Sequence, residues 1–165
     1  VVSPVAARAD GEAIRAALAT IPDPELPVVT IEELGILGHV ARDGPRVRVE
    51  LHPTFVACPA TELIRDAVVA RVAALVPGVA ADVAFVYDPP WSTDRISDRG
   101  RERLAAAGIA PPGPATGLVT LDQPVACPFC GSRRTRLENA FGPTPCRAIR
   151  WCPDCRQPFE QLKAL

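Results

Sequence analysis

Two short repeats near the C-terminus, "CPFC" at 127–130 and "CPDC" at 152–155, lie 21 residues apart. Each C-x-x-C turn lets two thiolates approach one ion while local amides point at the sulfurs. Two such turns at the tips of hairpins complete a tetrahedral four-sulfur shell, and the interval between them leaves room for strands. A segment of about forty residues has too little core to fold unaided, so metal binding would supply much of its folding energy. The expectation is a zinc ribbon over 124–165, held by Cys127, Cys130, Cys152 and Cys155, with structural zinc as the cofactor. A redox dithiol or an iron centre are the alternatives these thiols allow. Cys146 follows Cys130 by 15 intervening residues. It could replace Cys152 or Cys155 as a ligand, or be a half-buried small residue on a ribbon strand.

Charge divides the chain in the same place. Residues 1–123 hold 11 Arg against 16 Asp and Glu, whereas 124–165 hold 7 Lys and Arg against 3 Asp and Glu. The basic tail therefore reads as a separate unit. Its arginines, Arg133, Arg134, Arg136, Arg147 and Arg150, could contact nucleic acid or an acidic protein. With few aromatics between them, an ordinary solvated face is the expected reading, and nucleic acid is not the expected partner. "IAPPGPATG" supplies the linker. The expected division is an α/β domain over 1–110, a linker over 111–123 and the ribbon over 124–165.

Upstream, Ile14, Ala17, Leu18 and Ile21 recur at helical spacing, predicting a helix from Asp10 to Thr20 that "IPDPELP" stops. "VVTIEELGILGHVARDGPRVRVELHP" reads as two strands around "RDGP", because Val47, Val49 and Leu51 alternate with Arg46, Arg48 and Glu50. A long helix is expected from Pro59 to about Val76, with Leu63, Ile64, Ala67, Val68, Val72 and Leu75 as its apolar stripe. Pro77 and Gly78 end it, "VAADVAFVYDPP" reads as another strand, and "WSTDRISDRGRERLAAAG" as a helix closed by Gly108. The order helix–strand–strand–helix–strand predicts a small α/β sandwich, α+β in class, with helices packed on a mixed sheet.

Cys58 stands apart, in "PTFVACPATEL". Pro59 fits the first position of a helix, which would make Cys58 its N-cap. The sulfur would then face the first-turn amides and the positive end of the helix dipole, conditions that favour thiolate. The competing reading is a small apolar cap packed under the sheet. In "DPELP", Asp23 and Glu25 straddle a proline and could ligate a metal, cap a helix or stay solvated. His39 and His52 fall on predicted strands and read as surface or internally satisfied residues.

These pieces carry a resemblance. "DPELPVVTIEELGILGHV" and "PTFVACPATELIRD" resemble the small domain shared by SufT and cytosolic iron–sulfur targeting proteins. "PPWSTDRISDRGRERLAAAGIAPP" and the segment from "CPFCGSRRTRLENAFGPTPC" to "WCPDCRQPFEQLK" look like the PaaD family, encoded with the phenylacetyl-CoA epoxidase of bacterial phenylacetate catabolism. The resemblance spans roughly residues 10 to 163. It departs from the family pattern at Pro143, Arg147 and Arg150, which leaves the role of the 139–150 loop open.

The resemblance implies an accessory role in maturing or repairing a metal centre of the oxygenase, with Cys58 as the key cysteine and Asp23 and Glu25 as the acidic turn. A transient iron–sulfur cluster or iron would be the cargo. The implied partners are the epoxidase components, first its iron–sulfur reductase and then its di-iron subunit, with a homodimer supplying further thiolates. The alternative is a non-enzymatic docking subunit that grips the oxygenase through its ribbon. No Ser-His-Asp set, phosphate-binding glycine loop or His–carboxylate cluster suggests an enzyme acting alone. No apolar run approaches the roughly 20 residues of a membrane span. The N-terminal stretch lacks a secretory pattern, so a cytoplasmic location is expected. The Arg-rich, Lys-poor composition suggests a bacterial source.

Overall fold

The computed structural model describes residues 11–55, 58–113 and 125–163. The chain divides into two compact units, Val1–Trp91 and Ser92–Leu165. Among the described residues no helix is long and apolar enough to cross a membrane.

The first unit runs α1 (Gly11–Leu18), β1 (Leu37–Asp43), β2 (Arg46–Leu51), α2 (Thr61–Leu75) and β3 (Ala80–Phe85). Its sheet has the order β1-β2-β3, with β1 and β2 antiparallel and β2 and β3 parallel. The parallel pair needs a crossover, and α2 provides it. The alternation expected of β2 holds, since Val47, Val49 and Leu51 are fully buried between exposed or half-buried neighbours. From α2, Ile64, Val68 and Val72 reach the core, each contributing about 1.5–3 kcal/mol by burial. Leu63, expected on that stripe, is 59% exposed. The buried row runs strictly in steps of four, and Leu63 sits about 100° around the helix from Ile64.

The segment before β1 differs from the strand expected there. Thr30 and Glu33 form a reciprocal capping box: the Thr30 amide donates to Glu33 Oε2 at 2.9 Å, and the Glu33 amide donates to Thr30 Oγ1 at 3.1 Å. The Leu34 amide reaches the Thr30 carbonyl at 3.0 Å, and Gly35 closes the turn at φ 68°. The indole of buried Trp91 donates to the Leu34 carbonyl at 2.8 Å. One helical turn therefore replaces the first half of the strand. Gly38 then lies so close to His52 that a Cβ would come within 2.9 Å of its ring, which places His52 as a packed, buried side chain. His39 is exposed on β1.

The second unit contains a short 3₁₀ turn (Thr93–Arg95), α3 (Asp98–Ala106), β4 (Ile109–Ala110), β5 (Arg136–Asn139), β6 (Arg147–Cys152) and β7 (Gln157–Leu162). Ser97 caps α3 by accepting from the Gly100 amide at 3.1 Å, and Gly108 at φ 80° ends it. The four-stranded sheet has the order β4-β7-β6-β5, with β4 parallel to β7 and the other pairs antiparallel. The division into compact units falls at Trp91 and Ser92, ahead of the expected start of the linker at residue 111. Residues 92–110 pack with the ribbon because β4 hydrogen-bonds to β7 and Ala110 joins Cys127, Cys152 and Phe159 in one buried cluster. The start of the expected linker is also tied down, with Arg101 donating to the Pro112 carbonyl at 2.6 Å. The rest of it, 114–123, lies outside the described residues.

Candidate metal centre and thiol recess

In the second unit both C-x-x-C turns arrive at one point. The sulfurs of Cys127, Cys130, Cys152 and Cys155 all lie within 4.8 Å of one another. Cys127 and Cys155 are 3.6 Å apart, as are Cys130 and Cys152. A tetrahedral zinc–thiolate shell with bonds of about 2.3 Å has sulfur–sulfur edges of about 3.8 Å, so the donor set fits the ion. The surroundings supply the amides such a site needs. The Cys155 amide points at the Cys152 sulfur and holds that thiol below its ordinary range. Burial pushes the Cys155 thiol up to about 12, aided by the neighbouring cysteines, so in the metal-free site its proton is strongly held. A cation bound there must displace protons, and it meets four sulfurs with no position left open for a substrate.

Cys146 is not in this group. It is half-buried, with its sulfur 3.1 Å from Thr144 Oγ1, and the grouped sulfurs are those of the paired cysteines. Four of the five neighbouring arginines have side-chain partners of their own. Arg150 is buried on β6 and donates to Gln161, while Arg147 pairs with Glu160 at 2.6 Å and Arg136 with Glu138 at 2.6 Å. Arg134 pairs with Asp154.

The first unit holds a different site. Asp23, from the turn after α1, and Cys58, from the loop before α2, line one recess together with Thr54, Thr61, Ile64 and Phe85. Its cavity volume is about 20 Å³, the room of a single water or ion. The sheet explains the convergence. Leu51 ends β2 and Phe85 ends β3 in register beside it, so both strand ends open onto the same spot. The guanidinium of Arg65 lies 4.5 Å from the Phe85 ring centre.

Asp23 is only 6% exposed, which corrects the solvated-turn reading for this residue. Its Oδ1 accepts from the amides of Glu25 at 2.9 Å and Leu26 at 2.8 Å, so the carboxylate builds the turn that carries it. Glu25 is half-buried and does not line the recess. Cys58 is not the helix cap expected of it. The N-cap of α2 is Ala60, without a side-chain bond, and the Cys58 carbonyl accepts from both the amide and the hydroxyl of Thr61, at 3.3 and 2.7 Å. Proline and alanine at 59 and 60 form a tight turn ahead of the helix instead. Cys58 is half-buried and lines the recess. Sequence reasoning misses Thr54, Thr61 and Phe85. Thr61 carries a signal, as a β-branched hydroxyl three residues beyond the cysteine.

Comparisons with known proteins give each unit a counterpart. Residues 11–83 match the model of an iron–sulfur cluster assembly protein family. Residues 111–163 match the PaaD zinc beta ribbon domain. The chain is 39% identical over 153 residues to an Escherichia coli K12 protein described as a subunit of a "Putative 1,2-phenylacetyl-CoA epoxidase", covering 92% of both chains. A crystal structure of a domain of unknown function, DUF59, from Bacillus anthracis overlays with a TM-score of 0.53 at 30% identity, covering 57% of this chain and 90% of that one. The fold is thus α+β with a C-terminal zinc ribbon, and the ribbon's cofactor is structural zinc. An assembly-type domain joined to this particular ribbon, along nearly the whole length of both chains, shows that the protein belongs to the PaaD family of phenylacetyl-CoA epoxidase subunits.

Proposed function

We propose that this chain is an accessory protein of a phenylacetyl-CoA epoxidase system, and that it helps assemble or repair an iron centre of that oxygenase through Cys58. The observation that carries this reading is the recess itself. The fold brings a thiol and a buried carboxylate together from positions 35 residues apart, and leaves them beside room for one small guest. Iron, alone or as a cluster, is the cargo. Asp23 and Cys58 are its candidate ligands, while Glu25 serves the turn through its amide. Two protein donors cannot close a four-ligand shell, so a bound cargo keeps open positions for transfer to a client or for a second copy's thiolate. The relative's name and the match to an assembly domain support an iron–sulfur component of the epoxidase as client, its reductase first. Cys127, Cys130, Cys152 and Cys155 hold zinc and build the second unit.

The test is anaerobic reconstitution with iron and sulfide, comparing wild type with Cys58→Ala. Wild type should retain iron with thiolate-to-iron absorption and the variant should not. Equal iron content and equal spectra would remove Cys58 from the function. Epoxidase activity in cells carrying each form distinguishes the docking alternative, which requires Cys58→Ala to mature the oxygenase normally.

A further inference from the structure

The two zinc-binding turns are joined by a side-chain bridge as well as by the metal. The Ser132 hydroxyl, two residues past Cys130, donates to Asp154 Oδ2, inside the opposite turn. The same Ser132 carbonyl accepts from the Cys127 amide at 2.8 Å. One serine thus grips its own cysteine turn by backbone and the opposing turn by side chain. Arg134 closes the arrangement. Its amide donates to Ser132 Oγ at 3.1 Å, its Nε reaches Asp154 Oδ2 at 3.2 Å, and its terminal nitrogen pairs with Asp154 Oδ1.

We propose that Ser132 and Asp154 form a latch that holds the two cysteine pairs at zinc-binding distance and so sets how slowly the ribbon gives up its ion. The physical argument concerns order. A turn pair joined only by the ion separates when the ion leaves. The latch spans the gap without touching the metal, so the four sulfurs stay positioned for recapture. Outer partners of this kind change metal affinity by about 10–100-fold when removed. Asp154 is 30% exposed and Arg134 79% exposed, so the Ser132–Asp154 bond carries the effect and the ion pair, screened by water, adds little. The proposal rests on the ribbon holding zinc. Zinc content of the wild type, one ion per chain, tests that premise separately.

The experiment measures zinc release from the full chain to an excess of chromogenic chelator. Ser132→Ala and Asp154→Ala should each speed release about tenfold. The double variant should be no faster than the faster single one, since both remove the same bond. Ser132→Thr, which keeps the hydroxyl, should restore the wild-type rate, and Arg134→Ala should change it less than about twofold. Cobalt-loaded samples report the four-sulfur shell by their visible absorption, and an unaltered spectrum with faster release assigns the effect to the latch rather than to a lost ligand. Release within twofold of wild type in both single variants would overturn the proposal, as would effects that multiply in the double variant. Should Asp154→Ala not fold, Asp154→Asn, which keeps an acceptor for Ser132 but no charge, takes its place and should release zinc at nearly the wild-type rate; a tenfold acceleration there would make the charge, not the bond, responsible.

Discussion

The ribbon's four thiols and the lone thiol of the first unit show two ways a protein can use cysteine. In the ribbon, donors lie three residues apart within each turn and all sulfurs meet within 4.8 Å. The four-sulfur set leaves no ligand position vacant, and two of its cysteines are buried. Around Cys58 the proposed donors are one thiol and one carboxylate, drawn from distant turns that line a recess of about 20 Å³. A closed shell suits a metal that stays, and an open one suits a metal that passes through. Chemical similarity of the ligands therefore says less about role than the number of positions they leave vacant.

The comparison is broken most directly by removing a ribbon thiol. Cys152 is fully buried, and Cys152→Ser should abolish zinc binding and unfold the second unit, a loss on the order of 10 kcal/mol of metal-linked folding energy. Zinc analysis and circular dichroism read the result. The first unit should keep its cooperative melting, and loss of both units together would show that the metal supports the whole chain.

Cys58→Ala should do the reverse. Iron retention after desalting should fall at least tenfold, while the free energy of urea unfolding stays within about 0.5 kcal/mol of wild type, as for a substitution away from the packed core. A large loss of stability would return Cys58 to the structural class.

Asp23 sharpens the comparison because it serves both turn and recess. Asp23→Ala leaves the Glu25 and Leu26 amides without their acceptor and should cost about 1–3 kcal/mol in urea unfolding. Asp23→Asn keeps an acceptor oxygen and should retain most of that stability while weakening iron retention. If Asn binds iron as well as Asp does, the carboxylate serves only the turn.

The smallest expected effect belongs to Thr30→Ala, which removes one half of the capping box and should cost about 1 kcal/mol, seen as a lowered melting temperature with iron and zinc contents unchanged.

Much of the molecule is legible in the amino-acid sequence where the deciding interactions are local. The two C-x-x-C repeats declare their shared ion, because three-residue spacing within a turn already dictates where both sulfurs point. Alternation in "RVRVEL" declares β2, and Gly108 the end of α3. "TIEELG" carries its own signal, since Thr30, Glu33 and Gly35 spell a capped turn. That signal competes with the β-branched residues around it, which suit a strand equally well.

Other features depend on contacts that the local pattern does not rank. Whether Cys58 caps α2 turns on Thr61, whose amide and hydroxyl both take the Cys58 carbonyl and start the helix later. Whether Asp23 lies in water turns on the strand ends that bury it beside Cys58. Whether residues 92–110 belong to the first unit turns on two backbone pairs, Ile109 with Glu160 and Ala110 with Gln161. Local pattern thus points to the paired cysteines as the ribbon's ligands, because a turn's geometry is complete within a few residues. The recess needs the tertiary fold, because Asp23 and Cys58 line it together only when the turn after α1 and the loop before α2 come to one place.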